Sequence, residues 1–211
     1  MKNALRFLVR FHWPVVVSFL IYGGVMTAYA ATGGTRSDGI LTTYYYLFPL
    51  VPALFLSIFQ FGSGTAYLSM ALSMGCTRRA YFGANQVLMV LSVLVNWALT
   101  ALFLFLPQWL GWQGVEPFMP AAALPLLPLV TLAVGECSSA AGLLRREHAA
   151  LGVICYGVAF VALMCLAVLV QVVKQAWLWG DLPAILLSVS VILGALCLIV
   201  EVQQTRQAVV R

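Results

Sequence analysis

The sequence predicts an all-α integral membrane protein with six transmembrane helices, and three observations predict it. Of 211 residues, 63% are hydrophobic and 8% are charged, against roughly 25% charge in an ordinary soluble domain. The apolar residues fall into uninterrupted runs of about 20, the length a helix needs to cross hydrocarbon, without the short alternating pattern of barrel strands. The remaining charges collect at the ends of those runs. Lipid offers no hydrogen bonds to the backbone, so continuous helices satisfy such segments.

The spans are expected at residues 14–32, 43–62, 83–106, 120–143, 149–172 and 182–201. The first follows Lys2, Arg6 and Arg10 and ends in Ala28, Tyr29 and Ala30, the small-residue spacing of a signal-peptide cleavage site. The expectation here is a retained first helix. After it, "ATGGTRSDGI" is a turn-rich link. Residues 107–119 form an expected external loop, with Trp109 and Trp112 suited to the headgroup boundary. Pro120, Pro125 and Pro128 lack backbone donors, so a bend is predicted in the outer half of the fourth span. Gly152 and Gly157 allow close packing of the fifth span, but their spacing is not GxxxG. No linker is long enough to separate a soluble domain, so residues 1–211 are expected to form one transmembrane domain.

Charge sets the predicted orientation. Of the 11 basic residues, nine fall on one side when six spans are drawn: Lys2, Arg6, Arg10, Arg78, Arg79, Arg145, Arg146, Arg206 and Arg211. Arg36 and Lys174 are the other two. Positive residues stay inside, so both termini are predicted cytoplasmic. The outer loops then carry Asp38, Glu116 and Asp181, and Tyr44, Tyr45, Tyr46, Trp109, Trp112, Trp177 and Trp179 supply an aromatic belt.

Several functions are disfavoured. A pI of 9.1 and a charge of +5 do not imply nucleic acid, because the basic residues flank spans and form no solvated basic face. The five cysteines, Cys76, Cys137, Cys155, Cys165 and Cys197, make no CxxC pair and read as small apolar side chains. His12 and His148 are isolated and read as interfacial residues, leaving no expected metal ligands. No GxxxxGK[ST] phosphate loop occurs. We therefore expect no catalytic residues and no cofactor on this chain.

Polar residues within the spans are the candidates for internal contacts. Asn85, Gln86 and Asn96 lie on the third span, Asn85 and Asn96 in similar helical phase, and such amides bond across helices in lipid. Glu136 lies a few turns from Arg145 and Arg146, and a structural pairing with a basic group is favoured over a substrate or coupling role. Glu201, near the inner end of the last span, carries less weight. Ser138 and Ser139 read as local caps or packing contacts and not as nucleophiles, because no histidine base accompanies them.

Between the second and third spans, residues 63–82 are less uniformly apolar. Gly62, Gly64 and Gly75 allow the chain to turn, a short amphipathic helix is expected before the third span, and Thr77 can cap the renewed helix. Arg78 and Arg79 at a helix start oppose the favourable dipole pattern, a mismatch that lipid phosphate or an acidic partner would relieve. Simple topology control is the equally weighted alternative.

The stretch "ALSMGCTRRAYFGAN" resembles the internal-loop signature of small ABC-2-type transporter permeases, in which glycine, a hydroxyl residue and basic residues precede an aromatic and the third helix. "CSSAAGLLRREHAALGV" is similar to the shorter loop between the fourth and fifth spans of such proteins. The resemblance implies a permease subunit of the bacterial cytoplasmic membrane that pairs with a second identical or homologous permease and with cytosolic ATP-binding subunits, which would hold ATP and Mg. It implies a coupling region of Tyr67, Met70, Met74, Gly75, Thr77, Arg78, Arg79, Tyr81 and Phe82, and a second cytoplasmic loop of Arg145, Arg146 and Glu147. The largely uncharged spans would suit a hydrophobic peptide, an antibiotic or a lipid-like molecule as cargo. Two other classes fit six spans: a vitamin-binding component of an energy-coupled importer, which would enclose its pocket in one chain, and a non-transporting scaffold or immunity protein.

Overall fold

The computed structural model describes residues 2–34, 39–112, 115–172 and 180–207. Arg36, Asp38, Lys174, Trp177, Trp179 and Arg211 lie outside the described residues. The chain is an all-α bundle in which six helical stretches are long and apolar enough to cross a membrane. It is a multi-pass membrane protein.

Helix α1 is Lys2–Ala31, with Pro14 inside it. The second stretch, Ile40–Ser73, is compound: α2 (Ile40–Leu47), a 3-10 turn at Phe48–Leu50, α3 (Val51–Gly62), a π turn at Ser63–Tyr67 and α4 (Leu68–Ser73). Pro49 and Pro52 each sit in the first positions of a new helical segment, where a missing N–H costs little. Then follow α5 (Arg78–Trp109), α6 (Leu126–Glu147), α7 (Ala149–Val172) and α8 (Leu182–Gln207).

These bounds change the expected picture between the second and third spans. The helix does not end at residue 62 but runs on to Ser73. Its 34 residues measure roughly 50 Å at 1.5 Å each, well beyond ~30 Å of hydrocarbon. Of the three glycines expected to turn the chain, only Gly75 does so, with φ of +81°. Gly64 instead allows backbone contact: a Cβ there would lie 2.6 Å from the Leu143 nitrogen and 2.8 Å from the Ser139 oxygen of α6.

The prolines of the fourth span begin structure where a bend was expected. Pro120 precedes a 3-10 turn at Ala121–Ala123, and Pro125 is the N-cap of α6. Pro128 falls in the first turn, where its absent N–H would have had no helical partner. Part of the expected external loop 107–119 is helical, since α5 continues through Pro107 to Trp109. Gly111, φ +69°, ends α5 as a Schellman cap, with Gly111 N bonding Gln108 O at 3.1 Å and Trp112 N bonding Pro107 O at 2.9 Å.

α6 packs against α3, α7 and α8, while α1 lies along α5. Two apolar clusters mark the ends of the bundle. One joins Phe19, Met26, Tyr45, Phe48, Phe103, Phe118 and Leu124. The other joins Ala4, Leu8, Phe59, Leu68, Tyr81, Leu88 and Leu143. Arg78, Arg145 and Arg206 belong to this second end: an Arg78 Nη1 donates to the Arg206 carbonyl at 2.9 Å, and Arg145 lies 5.6 Å from the Phe61 ring centre. We call it the basic end.

At the opposite end, Tyr44, Trp109 and Trp112 of the expected aromatic belt are exposed, but Tyr45 and Tyr46 turn inward, bonding the Glu116 carbonyl at 2.8 Å and its carboxylate at 3.0 Å. A phenol buried among Phe48 and Phe118 needs an acceptor, and Glu116 supplies both. His12 is buried, 3% exposed, and packs edge-on against Phe59. Gly152 lies so close to Arg145 that a Cβ would strike its backbone, whereas Gly157 faces open space.

Candidate functional site

The turn between α4 and α5 is built from three residues. Gly75 takes the left-handed conformation that closes a Schellman cap, with Gly75 N bonding Leu72 O and Cys76 N bonding Ala71 O, both at 3.0 Å. Thr77 is extended and accepts from Ala80 N at 3.2 Å, capping α5. The elbow is therefore fixed by local chemistry at both helix ends.

The residues of the expected coupling region divide. Met70, Met74 and Arg79 are exposed. Tyr67 packs against Phe11 and Phe59, and Tyr81 is 4% exposed, so these two hold the elbow and do not form its outer surface. Arg78, Arg79 and Phe82 line an open groove of about 740 Å³ with Val202, Thr205 and Arg206 of α8. At the α6–α7 link, Gln204 with its nitrogen turned inward donates to both Glu147 oxygens at 3.1 Å. The second basic loop of Arg145, Arg146 and Glu147 thus meets the last turns of α8.

Beneath the elbow lies a buried polar cluster drawn from four spans. Ser63 Oγ donates to Asn85 Oδ1 at 2.7 Å, and Tyr81 Oη bonds Ser63 Oγ at 2.7 Å. Asn85 Nδ2 reaches Gln60 Oε1 at 3.0 Å and Glu201 Oε1 at 3.4 Å. Ser139 Oγ donates to Glu201 Oε1 at 2.7 Å. Gln86 Nε2 bridges the two acids, 2.9 Å from Glu201 Oε2 and 3.3 Å from Glu136 Oε2. The two carboxyl groups also touch one another.

The arrangement follows from lipid chemistry. A carboxyl group inside a bundle is costly unless amides and hydroxyls surround it, and here α5 and α6 supply them. Two neighbouring carboxylates repel when both are charged, and the Gln86 amide donates to one oxygen of each acid. Such a cluster changes its bonding when α5, α6 and α8 shift against one another.

Sequence reasoning placed Asn85, Gln86 and Glu136 among internal contacts, and the structure brings all three together, but Glu136 meets Gln86 and lies beside Glu201 in place of the basic group expected for it. Asn96 is not with them. It faces a small void of about 10 Å³ beside Trp97, Thr100 and Thr131, nearer the other end of α5. Glu201, given little weight, is the hub of the cluster. Gln60 and Ser63 were missed, and the polar side chains at helical spacing across them were the available signal; Ser139, read from the sequence as a local contact, donates to Glu201. Ser138 is a packing contact, donating to Val134 O at 2.7 Å and lying 2.9 Å from Ser57 Oγ. No protein-family model, curated protein or solved structure matches the chain.

Proposed function

We propose that this chain is the permease subunit of an ATP-driven, ABC-2-type transporter of the bacterial cytoplasmic membrane, with the basic end facing the cytoplasm. The elbow carries the reading: a rigid turn, capped at both sides, presents Met70, Met74 and Arg79 at the end of a helix too long for the hydrocarbon. ATP and Mg stay on a separate cytosolic subunit. Its closure pushes on residues 74–79, and because Ser63, Tyr81 and Asn85 tie the elbow to Glu201, the push reaches α6 and α8. A ligand or partner moves such an equilibrium only by binding one state better than the other. The cargo class is a hydrophobic peptide, an antibiotic or a lipid-like molecule, carried between two permease subunits.

The test is site-specific photocrosslinking in native membranes, with a photoreactive side chain at Met74 or Arg79. The expected product is a cross-link to a protein carrying a GxxxxGK[ST] phosphate loop, and purified complex should hydrolyse ATP less when Met74→Glu is introduced. Transport by proteoliposomes containing this chain without any ATP-binding subunit would overturn the proposal.

A further inference from the structure

Cys137 of α6 and Cys197 of α8 bring their sulfur atoms to 3.1 Å, and both are free thiols. They are 60 residues apart, so no motif announces them. The contact is built by close helix approach. Gly194, one turn before Cys197, lies against Ala133, one turn before Cys137, and even a Cβ on Gly194 would meet the Ala133 Cα at 3.7 Å. Both thiols are partly exposed, and the α8 residues around Cys197, Leu193, Leu196 and Ile199, are exposed apolar side chains.

A disulfide requires sulfurs at about 2.0 Å, roughly 1 Å closer than here, a movement that two helices in contact through small residues can make. Cys137 and Cys197 sit in the middle of α6 and α8, away from soluble thiol reductants. A two-electron oxidant that reaches them has to dissolve in lipid.

We propose that Cys137 and Cys197 form a disulfide, with a lipid-soluble quinone as oxidant. Two S–H bonds break and one S–S bond forms. The quinone takes the two electrons and two protons and leaves as the quinol. The bond would tie α6 to α8 beside Glu136 and Glu201, so oxidation locks the seam that carries the carboxyl pair. This inference does not depend on ATP-driven transport.

The test uses the full chain in membranes with C76A, C155A and C165A, leaving the two thiols. After treatment with decylubiquinone and denaturation, a mass-tagged maleimide is expected to add to neither sulfur, and dithiothreitol should restore two additions. C137S or C197S leaves one tag under both conditions. Gly194→Leu, which wedges the helices apart, should lose most of the protection. Phenylarsine oxide, which bridges neighbouring thiols without oxidising them, should protect both sulfurs and release them to ethanedithiol. Two tags after quinone overturn the proposal whether or not the arsenical binds, and cross-linked pairs of chains in place of an internal bond overturn it as well.

Discussion

Gly142 shows how little room the basic end of the bundle leaves. A Cβ there would lie 2.5 Å from the Phe61 carbonyl oxygen and 3.2 Å from the Gly64 Cα. These are backbone atoms, so Gly142→Ala must separate the second span from α6. Overpacking of this kind costs about 1–3 kcal/mol, and a lower melting temperature in detergent is the expected reading; an unchanged one would show that the two backbones are not in contact. Asn85 makes a different demand. Asn85→Ala strips Ser63 of its acceptor and Gln60 and Glu201 of a donor, and buried groups left without partners cost about 1–3 kcal/mol. Unfolding by SDS should therefore begin at lower denaturant, while Asn85→Asp combined with Glu201→Gln should recover part of the loss. The amide of Asn85 was legible in the sequence as a cross-helix contact because an amide in an apolar run has few other uses. The weight of Glu201 was not: its value comes from α5 and α6, whose residues 85, 86 and 139 reach it only after folding.

At the scale of the element, the elbow and the helix starts show which signals are local. Gly75 and Thr77 announce a stop and a start in the sequence, and the structure uses both. Gly75→Ala forces a Cβ into a left-handed residue, a cost of about 1–2 kcal/mol, and Thr77→Ala removes the cap on α5 for about 1 kcal/mol. Both losses should appear as faster amide exchange at residues 74–81, with the far ends of α5 and α6 unchanged; uniform loosening of the bundle would contradict a local cap. Pro125 and Pro128 carry the opposite lesson. Proline marks a helix start as readily as a bend, and what decides is where the first turn begins, which depends on residues 115–124 folding back over Tyr45 and Phe48. The π turn at Ser63–Tyr67 was equally hidden. It is a response to contact with α6 at Gly64, and contact between distant segments leaves no periodic trace.

For the molecule as a whole, hydropathy and charge carried the number of spans because both are sums over many residues, and a misplaced boundary changes neither. The structure gathers Arg78, Arg145 and Arg206 at one end, opposite Trp109 and Glu116. Under the positive-inside rule, the excess of basic residues at that end predicts that it faces the cytoplasm. Labelling tests this directly. In a chain with its five native cysteines replaced by alanine, Met74→Cys and Trp109→Cys each put a single thiol at an exposed position, 58% and 70% accessible, at opposite ends. A membrane-impermeant maleimide should label Trp109→Cys in intact cells and Met74→Cys only in inverted vesicles. Labelling of both from one side would contradict the single crossing by α5 between them, and the reversed pattern would put the elbow outside the cell, where no ATP-binding subunit could reach it.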